Sequence, residues 1–215
     1  VKIVGGDLKV VEKNACDKIF INTTGLGSIP GKINISAGNA RPGDAIIING
    51  FIGEHAAAIM SARQDYKLKT FIKSDCCALN HLIAAILTRS GNIHVMRDPT
   101  RGGVATTLNE IAQQSNVEIQ IEEDQLPVSE SVRGFCEILG LDPLYLANEG
   151  KILVFVPEKD SGKIVSAMRK HPLGEKTQII GIVTRKNTPQ VILRTSIGST
   201  RILDMLTGEQ LPRIC

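Results

Sequence analysis

Residues 93–121 read I-H-V-M-R-D-P-T-R-G-G-V-A-T-T-L-N-E-I-A-Q-Q-S-N-V-E-I-Q-I, and the changes of pattern within them decide the fold. I-H-V-M-R is a short run of strand formers. D-P-T-R-G-G breaks it with a proline and two glycines, residues that punctuate a chain. V-A-T-T-L-N-E-I-A-Q-Q then reads as a helix, and V-E-I-Q-I returns to the period-two alternation of a strand. The same alternation of elements extends in both directions. Upstream, A-I-I-I-N-G-F is a buried strand, followed by an Ala-rich helix over 54–64 and a second apolar helix over 79–89. Downstream, S-E-S-V-R-G-F-C-E-I-L-G predicts a helix that Ser129 caps and Gly140 stops. K-I-L-V-F-V is a strand, 159–170 a helix, and 178–184 and 191–195 are closing strands. The sum predicts an α/β layered fold, a mixed sheet packed by helices.

The ends of the chain depart from this pattern. V-K-I-V-G-G-D-L-K-V-V and I-F-I-N-T-T-G-L-G-S-I read as two extended runs on either side of a turn at 13–17. Two strands alone are marginal, so 1–37 is expected to need strand partners from elsewhere. S-A-G-N-A-R-P-G-D marks a junction, which puts the α/β domain at 38–205. L-T-G-E-Q-L-P-R-I-C, 206–215, lacks periodicity and predicts a mobile arm. The first residues carry no initiator Met and read as a strand already inside a domain, so the expectation is the C-terminal part of a longer protein.

Composition narrows the function classes. Of 215 residues, 42% are apolar and 22% charged, ordinary for a globular protein able to bury a core. With no Trp, two Tyr and five Phe, the core must be Ile, Leu, Val and Ala, and base stacking on aromatic platforms is disfavoured. The net charge of +3 is scattered, which argues against a nucleic-acid or membrane patch. No stretch approaches the roughly 20 apolar residues of a membrane span. The cysteines, Cys16, Cys76, Cys77, Cys136 and Cys215, are odd in number and show no zinc-type spacing, which fits free thiols in a reducing cytoplasm.

Several stretches offer chemistry, each with a plainer alternative. In G-G-D-L-K-V-V, backbone amides and Lys9 would hold phosphates while Asp7 binds Mg²⁺ through oxygen; alternatively this is a glycine turn on an edge strand. In D-P-T-R-G-G the glycines and the following helix N-terminus suit an anion. There Arg101 either clamps an oxyanion or pairs with Asp98. Glu149 in A-N-E-G-K sits at a loop-to-strand junction, where partial desolvation would suit it to act as a base, or it is a solvated turn acid. Cys76 and Cys77 are nucleophile candidates, or small hydrophobes opening a helix. The four histidines, well separated, read as ordinary core or surface residues. Cys215 ends the chain beside its own carboxylate, so its thiolate needs help from Arg213 or a cationic partner site. Ten extended residues reach about 30 Å, enough to carry a group on sulfur between sites.

Taken in order, G-G-D-L-K-V-V, F-I-N-T-T-G-L-G, S-D-C, D-P-T-R-G-G-V, A-N-E-G-K, H-P-L-G and the terminal P-R-I-C resemble the C-terminal two-thirds of the HypE family. These are the carbamoyl dehydratases of hydrogenase maturation, and the resemblance covers essentially the whole chain. G-D-x-K and D-P-T-R-G-G are similar to elements of the wider superfamily of aminoimidazole ribonucleotide synthetase and selenophosphate synthetase. P-R-I-C singles out this family. The resemblance implies an aminoimidazole ribonucleotide synthetase-like C-terminal domain after the last strands of an incomplete ATP-binding domain. It implies that Cys215 accepts a carbamoyl group from a HypF-type carbamoyltransferase. ATP with Mg²⁺ would then drive dehydration to a thiocyanate, the source of a cyanide ligand for [NiFe]-hydrogenase iron on a HypC–HypD scaffold.

By the same resemblance Asp7 and Lys9 fall in the nucleotide- and Mg²⁺-binding motif, with Asp7 on the metal, and Glu149, with Lys9, takes part in deprotonation. The family is cytoplasmic and dimerises through its N-terminal domains. Two departures matter: the N-terminal part with most of the ATP domain is absent, so this chain alone is expected to bind ATP weakly or not at all. Leu8 also stands where Thr is more usual. A different class remains open, a non-catalytic thiol carrier and docking module in metallocentre assembly.

Overall fold

The computed structural model describes residues 2–16, 18–29, 31, 33–63 and 72–207. It divides into two units, Val1–Gly31 and Lys32–Cys215. The described residues of the first unit form neither helix nor strand. Ile3, Val4, Leu8, Val10, Phe20 and Ile21 all stand exposed. The strands expected in 1–37 are therefore not formed among the described residues there, because β-branched sequence alone does not make a strand. A ladder partner must satisfy its N–H and C=O groups, and the unit supplies none among its described residues. Residues 33–37 belong instead to the second unit: Ile35 packs into its core, and the Ser36 N–H donates to the His94 carbonyl at 3.1 Å.

The second unit is built on a seven-stranded mixed sheet. Its strands are β1 (Asp44–Ile48), β2 (Val95–Arg97), β3 (Val117–Glu122), β4 (Leu153–Pro157), β5 (Gln178–Lys186), β6 (Gln190–Arg194) and β7 (Thr200–Ile202). They lie in the order β2-β4-β1-β5-β3-β6-β7, all neighbours antiparallel except β3 and β6. The helices are α1 (Glu54–Ala62), α2 (Asn80–Leu87), α3 (Gly103–Ser115), α4 (Glu130–Leu139) and α5 (Glu158–Arg169). Strand β7 was not legible in sequence; it is three residues long and its side chains are exposed.

Why Ile46, Ile47 and Ile48 form an unbroken apolar run follows from the layers. Successive strand side chains point to opposite faces, and β1 is covered on both. Ile46 and Ile48 join Phe155, Val104, Leu108 and Ile111 under α3. Ile47 joins Val154, Val156, Leu82, Ile86, Ile164 and Met168 under α2 and α5. A third cluster packs Ala56, Ala57 and Met60 of α1 against Val132, Phe135 and Cys136 of α4. Helix α4 begins as its sequence predicts, with the Ser129 hydroxyl accepting from the Val132 N–H, and ends at Gly140 in the left-handed conformation (φ 67°).

One buried charge stabilises the sheet. Glu118 on β3 is 5% exposed beside an irregularity in the β3–β5 register. It accepts hydrogen bonds from Thr184 Oγ1 (2.7 Å) and Gln190 Nε2 (2.6 Å), with Arg185 Nε at 3.6 Å. The Thr184 and Gln190 hydrogen bonds, and then Arg185, hold its carboxyl below the usual range against the cost of burial. A depressed folded-state pKa stabilises above the unfolded value of about 4.3, and that stability is lost as pH falls through the folded pKa. Glu118→Gln is expected to cost about 1–3 kcal/mol at neutral pH. The gap to wild type should close in acid, and urea midpoints compared at neutral pH and below about pH 4 measure both.

Candidate functional site

The A-N-E-G-K segment, 147–151, crosses from the Pro143–Tyr145 turn into β4 and is fastened at nearly every peptide. Asn148 is 1% exposed. Its Oδ1 accepts from the Gly53 N–H at 2.8 Å, and its Nδ2 donates to the carbonyls of Pro99 (2.9 Å) and Leu146 (3.0 Å). Asn49, 2% exposed at the end of β1, accepts from the Ile152 N–H (2.8 Å) and donates to the carbonyls of Gly150 (3.1 Å) and Leu173 (2.9 Å). Each of these buried amides uses both its N–H donors and its oxygen, which fixes the strip with little freedom.

Between these two locks stands Asp75 of the S-D-C-C stretch. Its Oδ1 accepts from the Glu149 N–H (3.2 Å), and its Oδ2 accepts from the Gly150 N–H (3.2 Å) and Lys151 Nζ (2.8 Å). Both charged ends are withdrawn from water, the Asp75 side chain 2% and Lys151 9% exposed. Glu54, at the start of α1, places Oε2 3.6 Å from the same ammonium. Burial raises the proton affinity of the Glu54 carboxyl and Asp75 adds to that, while Lys151 opposes it. Gly150 has no space for a side chain: a Cβ there would overlap the Asp75 carbonyl oxygen and lie 2.6 Å from Cys77 Sγ.

Around this cluster lies a cavity of about 370 Å³, lined among others by Asn49, Phe51, Glu54, Cys76, Cys77 and Lys151. Cys76 is exposed, and its N–H donates to Ser74 Oγ at 3.1 Å. Cys77 is half-buried; burial pushes its thiol up, as does the neighbouring Asp75, with Lys151 opposing. Cys136 is buried in the third cluster and its thiol is pushed up to about 11, so it is a packing residue. The histidines are largely structural: His94 Nδ1 pairs with Asp44 Oδ2 at 2.8 Å, and His171 Nδ1 accepts from the Leu173 N–H at 3.2 Å. His55 Nδ1 lies 2.8 Å from Ser74 Oγ.

The D-P-T-R-G-G loop adjoins this strip through the Pro99–Asn148 contacts. Gly102 and Gly103 both hold positive φ (74° and 63°), and a Cβ on Gly103 would lie 2.7 Å from the Leu146 carbonyl. Asp98 pairs with Arg97 at 2.8 Å, and Arg97 also reaches Glu110 at 3.1 Å. A cavity of about 280 Å³ at this loop is lined by Arg97, Thr100, Arg101, Thr106 and Leu206. Leu206 is there because the chain after β7 lies along α3. Asn109 Nδ2 donates to the Leu203 carbonyl at 2.7 Å, and the Leu206 N–H donates to Thr106 Oγ1 at 3.4 Å. The final arm therefore starts from the mouth of the D-P-T-R-G-G loop.

The residues singled out in sequence fall in three places. Glu149 is in the fastened strip, half-buried, its main chain held by Asp75. Asp7 and Lys9 are exposed in the first unit, where Gly5 and Gly6 stand in open space. A carboxylate, an ammonium and open glycine amides suit Mg²⁺ and phosphate chemically, and all of them face open space among the described residues. Cys215 lies outside the described residues. Sequence reading missed Asp75, Lys151 and Glu54. S-D-C-C drew attention for its thiols, and nothing local says that its acid meets a strip 74 residues away.

Comparison with known proteins bears on the fold. The family model of the C-terminal domain of AIR synthase related proteins matches residues 41–194. Carbamoyl dehydratase HypE of Rhodobacter capsulatus is 50% identical over 215 residues, all of this chain and 63% of that protein. The crystal structure of hydrogenase maturation protein HypE in complex with ATP superposes with a TM-score of 0.78 at 46% identity, over 84% of this chain and 55% of that one. A HypE–HypF complex gives a TM-score of 0.76 at 45% identity, over 80% of this chain and 56% of that one. The chain thus spans less than two thirds of these relatives. Among the described residues no helix is long and apolar enough to cross a membrane.

Proposed function

We propose, from the premise that this chain belongs to the AIR synthase related family and carries its C-terminal domain, that it is the larger part of a HypE-type carbamoyl dehydratase acting in hydrogenase maturation. In this reading the protein removes water from a carbamoyl group carried on the sulfur of Cys215, leaving a thiocyanate that supplies cyanide to iron. The carbamoyl donor is a HypF-type carbamoyltransferase, in line with the neighbour solved as a HypE–HypF complex. The acceptor of the cyanide is a HypC–HypD iron scaffold, and the setting is the cytoplasm.

The observation that carries the reading is the placement of Glu149. Its backbone is fastened between Asn148, which is locked to the Gly53 and Pro99 loops, and Asp75. Its carboxylate makes no hydrogen bond or ion pair among the described residues. A held backbone with a disengaged carboxylate is what proton abstraction from an arriving amide nitrogen requires. ATP, when bound, supplies the phosphoryl group that turns the carbamoyl oxygen into a leaving group; Asp7 would hold Mg²⁺ and Lys9 the phosphates. The arm that starts at Leu206 has nine residues to Cys215, about 30 Å when extended. That length allows the same sulfur to visit a transferase and its own catalytic strip.

Intact-mass measurement on the full-length protein tests this. After incubation with the carbamoyltransferase and carbamoyl phosphate, an adduct should form at Cys215, and it should lose one water only when ATP and Mg²⁺ are added. A stable adduct that never loses water identifies a thiol carrier and overturns the dehydratase reading.

A further inference from the structure

The Asp75 carboxylate is spent entirely on groups that flank Glu149. It accepts the two successive amides of Glu149 and Gly150 and pairs with Lys151. No other hydrogen bond among the described residues holds the Glu149 peptide nitrogen. The locks on either side, Asn148 and Asn49, engage residues 148, 150 and 152, and so leave the direction of the Glu149 side chain to Asp75. Hydrogen bonds from amides to an ionised acceptor are about twice as strong as neutral ones. A single carboxylate receiving two consecutive N–H groups fixes both peptide planes at once.

We propose that Asp75 is a positioning residue of the dehydration step: it sets the peptide planes of Glu149 and Gly150 so that the Glu149 carboxylate meets the carbamoyl nitrogen. This rests on the dehydratase reading and assigns a function to the S-D-C stretch through its acid. Lys151 has the subordinate part of counter-ion. Its ammonium lies 2.8 Å from Asp75 Oδ2 and supplies the opposite charge where 2% of that side chain meets water. Gly150 is glycine because the Asp75 main chain must come this close for the clip to close.

Other features carry less. The cavity of about 460 Å³ between α2 and α5 is lined by Arg89, Lys163 and Lys170. Lys163 is paired with Asp160 at 3.1 Å, and Lys170 is the C-cap of α5, where a cation complements the helix dipole. The vicinal thiols Cys76 and Cys77 line the same cavity as Asp75 and bring no separate ligand set.

The test compares single-turnover water loss from Cys215 adducts formed in advance on four full-length proteins: wild type, Asp75→Asn, Lys151→Met, and the double variant Asp75→Asn/Lys151→Met. Asp75→Asn alone leaves Lys151 buried without its closest partner and risks misfolding. The double variant removes both charges together, so the decisive ratio is wild type over the double variant. Lys151→Met, which leaves the Asp75 carboxylate withdrawn from water without its closest partner, shows what loss of the counter-ion alone does. Because each rate is read on adduct already formed, a loss of folded protein lowers the amplitude and leaves the rate constant unchanged. The double variant should lose water about 100-fold more slowly than wild type, the scale of a misplacement near 1 Å. ATP concentration dependence and the extent of carbamoylation should stay within about threefold, and exchange of the Glu149 and Gly150 amide hydrogens should accelerate. A ratio within about threefold overturns the positioning role while leaving the dehydratase reading intact. Absence of water loss in wild type overturns both.

Discussion

Gly150→Ala is expected to destabilise the protein by about 3 kcal/mol or more, the upper range of overpacking penalties. The reason is a backbone-to-backbone approach that no rotamer change can relieve. The Cβ would overlap the Asp75 carbonyl oxygen, with the Asp75 carbonyl carbon at 3.0 Å and Cys77 Sγ at 2.6 Å. The S-D-C-C loop must then lift from the A-N-E-G-K strip. That movement breaks the amide clip on Glu149 and separates Lys151 from Asp75, leaving a charge withdrawn from water without its nearest partner. In thermal unfolding the midpoint should fall by about 6–12 °C for a chain of this size. Gly162→Ala provides the contrast. It sits exposed in α5 with nothing within 4 Å of the added carbon, and should stabilise by about 0.5–1 kcal/mol. Equal effects of the two substitutions would show that the loop and strip are not packed as described.

The difference between those two glycines also marks where sequence reasoning stops. Elements with their own period were readable: the I-I-I run of β1, the alternation of β3, and the Ser129 cap and Gly140 stop of α4 all state their structure within a few residues. Thr200–Ile202 was not, because three exposed residues carry too little pattern to signal a strand. Residues 1–31 show the converse. Their β-branched alternation is a capacity to pair, and no ladder forms among their described residues.

For the site, A-N-E-G-K was found because an acid and a glycine lead into an apolar strand. Its partners were not found, because Asp75 and Asn49 reach it across 74 and 101 residues of sequence. A buried ion pair of that kind leaves no periodic trace; S-D-C-C displays its thiols, and the acid between them and Ser74 does the holding. Asp7 and Lys9 had the reverse fate. The sequence left them open as phosphate and Mg²⁺ ligands or as part of a glycine turn on an edge strand, and both stand exposed in the first unit.

Cys215→Ala and Glu149→Gln should both abolish formation of the thiocyanate, and should do so at different steps. Without the terminal sulfur there is nothing for a carbamoyltransferase to load, so Cys215→Ala should show no adduct under any condition. Its thermal midpoint should remain within about 1 °C of wild type. The three apolar clusters, as far as the described residues define them, draw on residues up to Leu203, and the last described hydrogen bond of the arm is made by Leu206. A larger fall would mean that the cysteine is packed into the fold, and a packed sulfur cannot be presented to a transferase. Glu149→Gln keeps the shape of the side chain and the peptide N–H that Asp75 accepts, and removes only the ability to take a proton. Loading of Cys215 should therefore proceed normally. Water loss should slow by about 10²–10⁴-fold, the usual contribution of a positioned acid–base group. The adduct of Glu149→Gln should then accumulate at the mass of the carbamoyl form even with ATP present, which Cys215→Ala can never show. Normal water loss in Glu149→Gln would move the base elsewhere, and Glu54 would be the next carboxylate to test, since it lines the neighbouring cavity and burial already raises its proton affinity.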